Sequence, residues 1–309
     1  PSSATAGAII TPSVRVTARN SSGQTETSFT GNVTLTITAG TGTAGSTLSG
    51  TTTVAAVAGV ANFANLHIDN SGSGFRLSAT ASGLSGAVSA PFTINAGAPT
   101  RVTFSVQPAS TTAGAAISGQ SGPTVQATVR DVLGNPVKTF TGDVSVALLT
   151  NPSGGILSGT ATSAAVAGVA TFNNLSIDRT GNGYRLVVSS AGLASDTSDA
   201  ISITGGTATQ LLFTVQPSNA AANATIAPPI RVTALDALGN IATGFTGIVT
   251  LAIGTNPGGG TLAGSTAIAA ANGVATFTPV SINNAGVGYR LTASAASVTA
   301  ATSALFNIN

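Results

Sequence analysis

The chain is predicted to be all-β: three tandem antiparallel β-sandwiches of about seven strands each, with essentially no helix. Three observations lead there. A 19-residue block recurs as GVANFANLHIDNSGSGFRL (59–77), GVATFNNLSIDRTGNGYRL (168–186) and GVATFTPVSINNAGVGYRL (273–291), with nine positions identical in all three copies. Inside each copy apolar and polar residues alternate, the period of a strand with one buried face, and a glycine turn then reverses the chain into a second strand. No segment carries apolar residues at helical spacing between caps.

The spacing sets the domains. Pro1, Pro108 and Pro217 open matching segments, 107 and 109 residues apart. Roughly 100 residues suffices for one independent core, whereas a solenoid repeats every ~20 to 50. The division is therefore 1–96, 97–205 and 206–309, with the first repeat lacking its first strand.

The middle repeat shows each element. Residues 101–106 (RVTFSV) alternate and stop at Gln107-Pro108; proline cannot donate to a ladder, so it belongs at an edge or a kink, and the segment reads as the first strand. Residues 125–130 form the second strand. Asp131-Val-Leu-Gly-Asn135 is a turn, with Asp and Asn bonding backbone and Gly supplying positive φ. Phe140-Thr-Gly142 introduces the strand 144–149, and a loop of Asn, Pro, Ser and Gly leads to a short strand near 160–165. The block supplies two more strands, 200–204 the last, and Gly205-Gly206 the link onward. The third repeat follows with 211–215, 230–235, Phe245-Thr-Gly247 and 249–253; the first follows with 14–19, Phe29-Thr-Gly31 and 33–37.

The first repeat begins at its proline, without the strand that precedes Pro108 and Pro217. The expectation is a window on a longer array; the alternative is a subunit whose first sandwich receives a strand from a neighbour. In both cases the exposed edge should be occupied, because open flat edges recruit other chains.

Composition removes whole classes of chemistry. The chain has no cysteine, which excludes disulfides, thiol nucleophiles and thiolate metal sites. Charged residues are 6% of the chain, against about 25% in an ordinary soluble domain, and the net charge is +2. Without a Lys/Arg cluster, nucleic acid and anionic membranes are not expected partners. Without a run of 18 apolar residues, no helical membrane insertion is expected.

Catalysis needs convergent polar groups, and few are present. His67 is the only histidine; it falls on the outward face, and Ser176 and Ser281 stand in its place elsewhere. No Ser/His/Asp set with an elbow motif can be assembled. Calcium wants six to eight oxygens, and the closest acid pair, Asp196 and Asp199, occurs in one repeat only and reads as solvated loop acids. Asp131 and Asp236 read as turn-formers. An internal isopeptide bond needs a lysine in each repeat, and Lys138 is the only one. No catalytic residue, cofactor or metal ligand is therefore assigned. Four N-x-S/T sequons are treated as chance matches in a Ser/Thr-rich chain.

Arg76, Arg185 and Arg290 hold one place on the block's second strand and account for three of nine arginines. Their inward-facing neighbours put them outside. They read either as solvated side chains whose stems cover apolar surface or as a repeated contact to an adjacent chain. Self-association is expected, since a surface of Ser, Thr, Gly and Ala offers little charge repulsion.

The segment Asp178-x-x-Gly-x-Gly-Tyr184-x-Leu186 resembles the tyrosine corner of immunoglobulin-like domains. Tyr289 and Phe75 take the place of Tyr184 in the other copies. The fuller pattern runs VxFxVQP, VxAxDxxGN, FTGxVxL, GVATFxxLxI and GYRLxAS, and resembles the immunoglobulin-like repeats of large bacterial secreted or cell-surface proteins. That resemblance implies an extracellular location and a structural role as stalk, fibre or filament. Adhesive modules and accessory repeats of a larger secreted enzyme are the alternatives. It also implies that the corner hydroxyl bonds backbone, which Phe75 cannot do. The first copy departs again at Asn20-Ser-Ser-Gly-Gln24, where the pattern has Asp-x-x-Gly-Asn.

Overall fold

The computed structural model describes all 309 residues, and every regular element is a strand. Apolar alternation produces three separate cores, of 14, 19 and 20 buried residues, none shared between repeats. In the middle repeat Arg101–Val106 pairs antiparallel with Val125–Arg130, which pairs antiparallel with Val169–Phe172. The facing sheet runs Thr111–Thr112, Ile201–Thr204, Gly181–Ser189, Asp143–Thr150 and Thr162–Ala164, with Asp196–Thr197 beside Gly181–Ser189. The inward residues of both sheets meet: Phe172, Leu175, Ile177, Tyr184 and Leu186 are all at most 1% exposed.

The third repeat keeps this plan, with Val298–Thr302 pairing to Gln210–Val215 as well as to Gly286–Ala295, so that its two sheets join. In the first repeat Val14–Thr17 pairs on one side only, with Val60–Phe63. The FTG motif has a packing reason in all three. A Cβ at Gly31, Gly142 or Gly247 would come within 2.8 Å of the phenyl ring two residues earlier, so only glycine lets the ring fold back there.

The strands are more broken than the sequence suggests: eleven segments in each of the first two repeats and ten in the third. Gln107-Pro108 shows the cause. The proline interrupts the ladder, and the chain crosses to the opposite sheet, where it pairs in parallel with the last strand (Thr111 with Ile203). The same parallel contact joins Ala4 to Ile94 and Ala220 to Ile308. The sandwiches are thus antiparallel except where the segment after the proline meets the last strand, and where the first strand meets the segment ahead of that last strand, Arg101 with Ala194 and Gln210 with Thr299.

Candidate functional site: the corners and the joints between repeats

The block's reversal builds the corner. Tyr184 is fully buried and donates its hydroxyl to the Arg179 carbonyl at 3.0 Å; Tyr289 donates to the Asn284 carbonyl at 2.9 Å. Gly155 and Gly260 make room, since a Cβ at either would lie 2.9 Å from the hydroxyl. Each of those glycines is held by the asparagine that opens its loop. Asn151 and Asn256 accept from the glycine N–H and donate to its carbonyl, all at 2.8 Å. Asp178 Oδ1 accepts from the Ile156 N–H at 2.6 Å, which ties loop to corner. Phe75 is buried in the corresponding place but brings no hydroxyl.

The corner's outer side meets the next repeat. Asn135 accepts from the Ser71 N–H and donates to the Asp69 carbonyl, both at 2.8 Å. Asp131 organises that asparagine from within the turn. Its Oδ1 accepts from the Asn135 N–H at 2.8 Å and its Oδ2 from the Asn135 side chain at 3.0 Å. Oδ2 also accepts from the Gly97 N–H in the linker, at 2.8 Å. Two side chains therefore bind together one repeat's corner, the linker, and the next repeat's turn.

The second joint repeats the first. Asn240 accepts from the Thr180 N–H at 3.1 Å and donates to the Asp178 carbonyl at 2.8 Å. Asp236 takes the Asn240 N–H at 2.8 Å and the Gly206 N–H at 2.9 Å. An apolar contact accompanies each set. Leu133 reaches Gly7 and Leu238 reaches Gly114, so close that a Cβ on either glycine would be 3.0 or 2.9 Å from the leucine methyl. Both glycines have positive φ, 74° and 77°, which disfavours any side chain there.

Electrostatics agree with this geometry. Asp131 and Asp236 are 1% and 3% exposed. Burial by itself would raise their carboxyl pKa values. The donors around them, with the linker Gly97 and Gly206 amides foremost, outweigh it and hold both below the ordinary 3.8. Each is a charged acceptor saturated by N–H groups rather than a loose turn residue.

The position of the joint fixes how repeats follow one another. The turn lies where the chain comes into a sandwich, since Arg101 pairs with Arg130; the corner lies where it leaves, since Gly181 pairs with Ile203. Turn on corner is end on end.

The three arginines turn back on their own repeats. Arg76, Arg185 and Arg290 donate through Nη1 to the carbonyls of Ser89, Ser198 and Ser303, at 3.0, 2.8 and 2.8 Å. The serine hydroxyls accept from the N–H groups of Leu77, Leu186 and Leu291 at 3.0, 2.9 and 2.9 Å. This pins the chain as it crosses towards the last strand. Sequence reading missed these serines, although they recur twelve residues after the block's final leucine in every copy. It also missed the reach of Asn135 and Asn240, whose partners lie about 60 residues earlier and are backbone groups with no side-chain signature. Asp196, read as a solvated loop acid, is instead half-buried, and its Oδ2 accepts from the Phe104 N–H at 2.9 Å. That bond ties the first strand to the opposite sheet. Asp199 stays exposed, and His67 is half-buried with Nδ1 3.3 Å from the Asn65 carbonyl.

No protein-family profile matches the chain, and no curated protein matches it. Among solved structures it is similar to the Escherichia coli adhesin FdeC, at 19% identity and a TM-score of 0.44, over 100% of this chain and 95% of that one. It is also similar to extracellular cadherin domains 1–4 of protocadherin gamma B7, at 8% identity and 0.38, over 90% and 66%. Drosophila N-cadherin EC1-3 gives 12% and 0.21, over 90% and 88%. The three packed sheets-on-sheets define an immunoglobulin-like β-sandwich, three times in succession.

Proposed function

We propose that the chain is a non-catalytic structural segment of an extracellular surface protein, a stalk or fibre in which successive sandwiches are locked end to end. One observation carries this reading: the same Asp–Asn joint, with the same three backbone partners, forms at both boundaries. A flexible string of beads has no use for buried, saturated carboxylates at each link. Relative motion is the default between domains that lack a large apolar interface, so a fixed link here has to come from these bonds.

The buried polar side chains support it further. Asp131, Asn135 and Asp236 serve joints, Ser198 and Ser303 serve the arginine clasp, and Thr128 and Thr233 lie on second strands. None of them converges on a cleft. The parallel pairing of the segment after each proline with the last strand also suits a load-bearing element. Tension between the two ends of a repeat pulls these strands past each other in shear, so their hydrogen bonds share the load. Each guanidinium at Arg76, Arg185 and Arg290 spends Nη1 on its serine carbonyl and keeps other donors for a neighbouring chain, our proposed route to self-association. Light scattering at rising concentration reads that association, and unchanged behaviour of the three Arg→Ala variants contradicts it.

Small-angle scattering tests the main reading. An elongated particle one sandwich wide is expected, and a compact globule would overturn it.

A further inference from the structure

The second and third repeats each hold a first strand, Arg101–Val106 and Gln210–Val215, between two walls. One wall is the second strand, paired antiparallel. The other is the segment ahead of the last strand: Val102 donates to Ala194, Ala194 to Thr100, and Thr299 to Thr209. Gln107 and Gln216 follow, and their side-chain oxygens accept from the Asp199 and Ala304 N–H groups at 3.0 and 2.8 Å. Then comes the proline.

The first repeat has both walls, Val14–Thr17 and Leu84–Val88, and no strand between them. A groove of about 600 Å³ runs there, with a neighbouring one of about 430 Å³. Val16, Leu35, Leu77 and Ala79 line it, and Pro1 closes one end. Leu84 and Val88 on the rim are 40% and 58% exposed. The Ala90 N–H, at the place of Asp199 and Ala304, makes no backbone hydrogen bond.

We propose that this groove binds one extended strand of the type Val/Leu-x-Phe-x-Val-Gln, supplied from outside residues 1–309. The register follows from the filled grooves. Phe104 lies opposite Ala127 and Val102 opposite Val129, whose places in the first repeat are Val16 and Ala18. The incoming phenylalanine therefore packs over Val16, the strand runs antiparallel to Val14–Thr17, and its glutamine caps the Ala90 N–H beside Pro1. Backbone pairing supplies affinity and the alternate side-chain sockets supply specificity. A second copy of this chain is not the source. Its two strands of this type are buried in their own repeats, with Phe104 and Phe213 8% and 5% exposed, so lending one opens the same gap there.

A peptide with the sequence of residues 100–107, TRVTFSVQ, titrated into the full chain by calorimetry tests this. Saturable binding is expected, with slowed amide hydrogen exchange across residues 14–19 and at Ala90. A peptide carrying aspartate at the phenylalanine position should bind at least about tenfold more weakly, since a buried ring is replaced by a charge. Alanine for the glutamine should remove protection at Ala90 alone. No binding, or equal binding of a scrambled peptide, would overturn the proposal. So would a chain that dimerises unaided with the groove amides already protected, because the occupant is then a second copy. All variants are in the peptide, so folding of the chain is not at issue.

Discussion

The first repeat and the second share the block, the FTG packing and the arginine–serine clasp, and they differ at the end where the chain comes in. The second repeat has a first strand, a charged turn and a neighbour beneath that turn. The first has an open groove and Asn20, an exposed residue whose Oδ1 accepts from Ser22 and Gln24 at 3.1 and 3.0 Å. The turn shape survives with a neutral cap. The aspartate of the other turns is thus required by what the turn touches: it receives the linker amide and aims the asparagine. Core size shows the other half of the difference, 14 buried residues against 19.

The largest effect that sharpens this comparison lies in the core. Leu186→Ala removes a fully buried side chain and should cost about 2 to 5 kcal/mol, read by denaturant unfolding. Leu77→Ala in the first repeat should fall at the lower end of that range, because Leu77 lines the groove and the space it leaves opens to solvent. A near-zero loss at Leu186 would break the assignment of the block's second strand to the core.

Next come the joints. Asn240→Ala leaves the Thr180 N–H and Asp178 carbonyl without their partner and should cost about 1 to 3 kcal/mol of coupling between the second and third repeats. Faster hydrogen exchange at the Thr180 amide reports it. Gln24→Ala, at the matching place in the first repeat, is exposed and should stay within about 0.5 kcal/mol.

The carboxylates add a pH dependence with a definite sign. Asp131 and Asp236 have pKa values lowered by folding, so their contribution is complete above the ordinary 3.8 and is lost as pH falls through the lower folded values. Acid titration followed by the Gly97 and Gly206 amide resonances should show both joints loosening in that window. Asn20 carries no such charge, and its turn should be indifferent. A joint that loosens on raising the pH from that window would contradict the linkage.

The smallest contrast is at the corner. Tyr184→Phe deletes one hydroxyl bond and should cost about 0.5 to 1.5 kcal/mol, measured by the same unfolding curves. Phe75 shows that the ring alone suffices to build the corner.

What the sequence made legible follows from range. The block, the alternation and the FTG and DxxGN motifs are local, and residues such as Phe172, Leu175 and Leu186 could be placed inside from spacing alone. The clasp was half legible: the arginines recur visibly, but their partner is a carbonyl, and carbonyls leave no trace in a sequence. The joints were hidden for the same reason. Asn135 read as a turn residue, and Asn240 holds the same place in its motif, because the turn is local and the corner they grip is a repeat away. Asp196 misled in the opposite sense, since its acceptor role depends on a strand 92 residues earlier.

The joint itself can be tested most directly with two spin labels. The chain has no cysteine, so Ala147→Cys and Ala252→Cys, both exposed and at matching places in the second and third repeats, give a clean pair. Pulsed electron–electron resonance then reads the distance distribution between them. The account expects one narrow distribution that broadens when Asp236 and Asn240 are both replaced by alanine. A broad distribution in the unaltered chain, or one that the double replacement leaves unchanged, would contradict it.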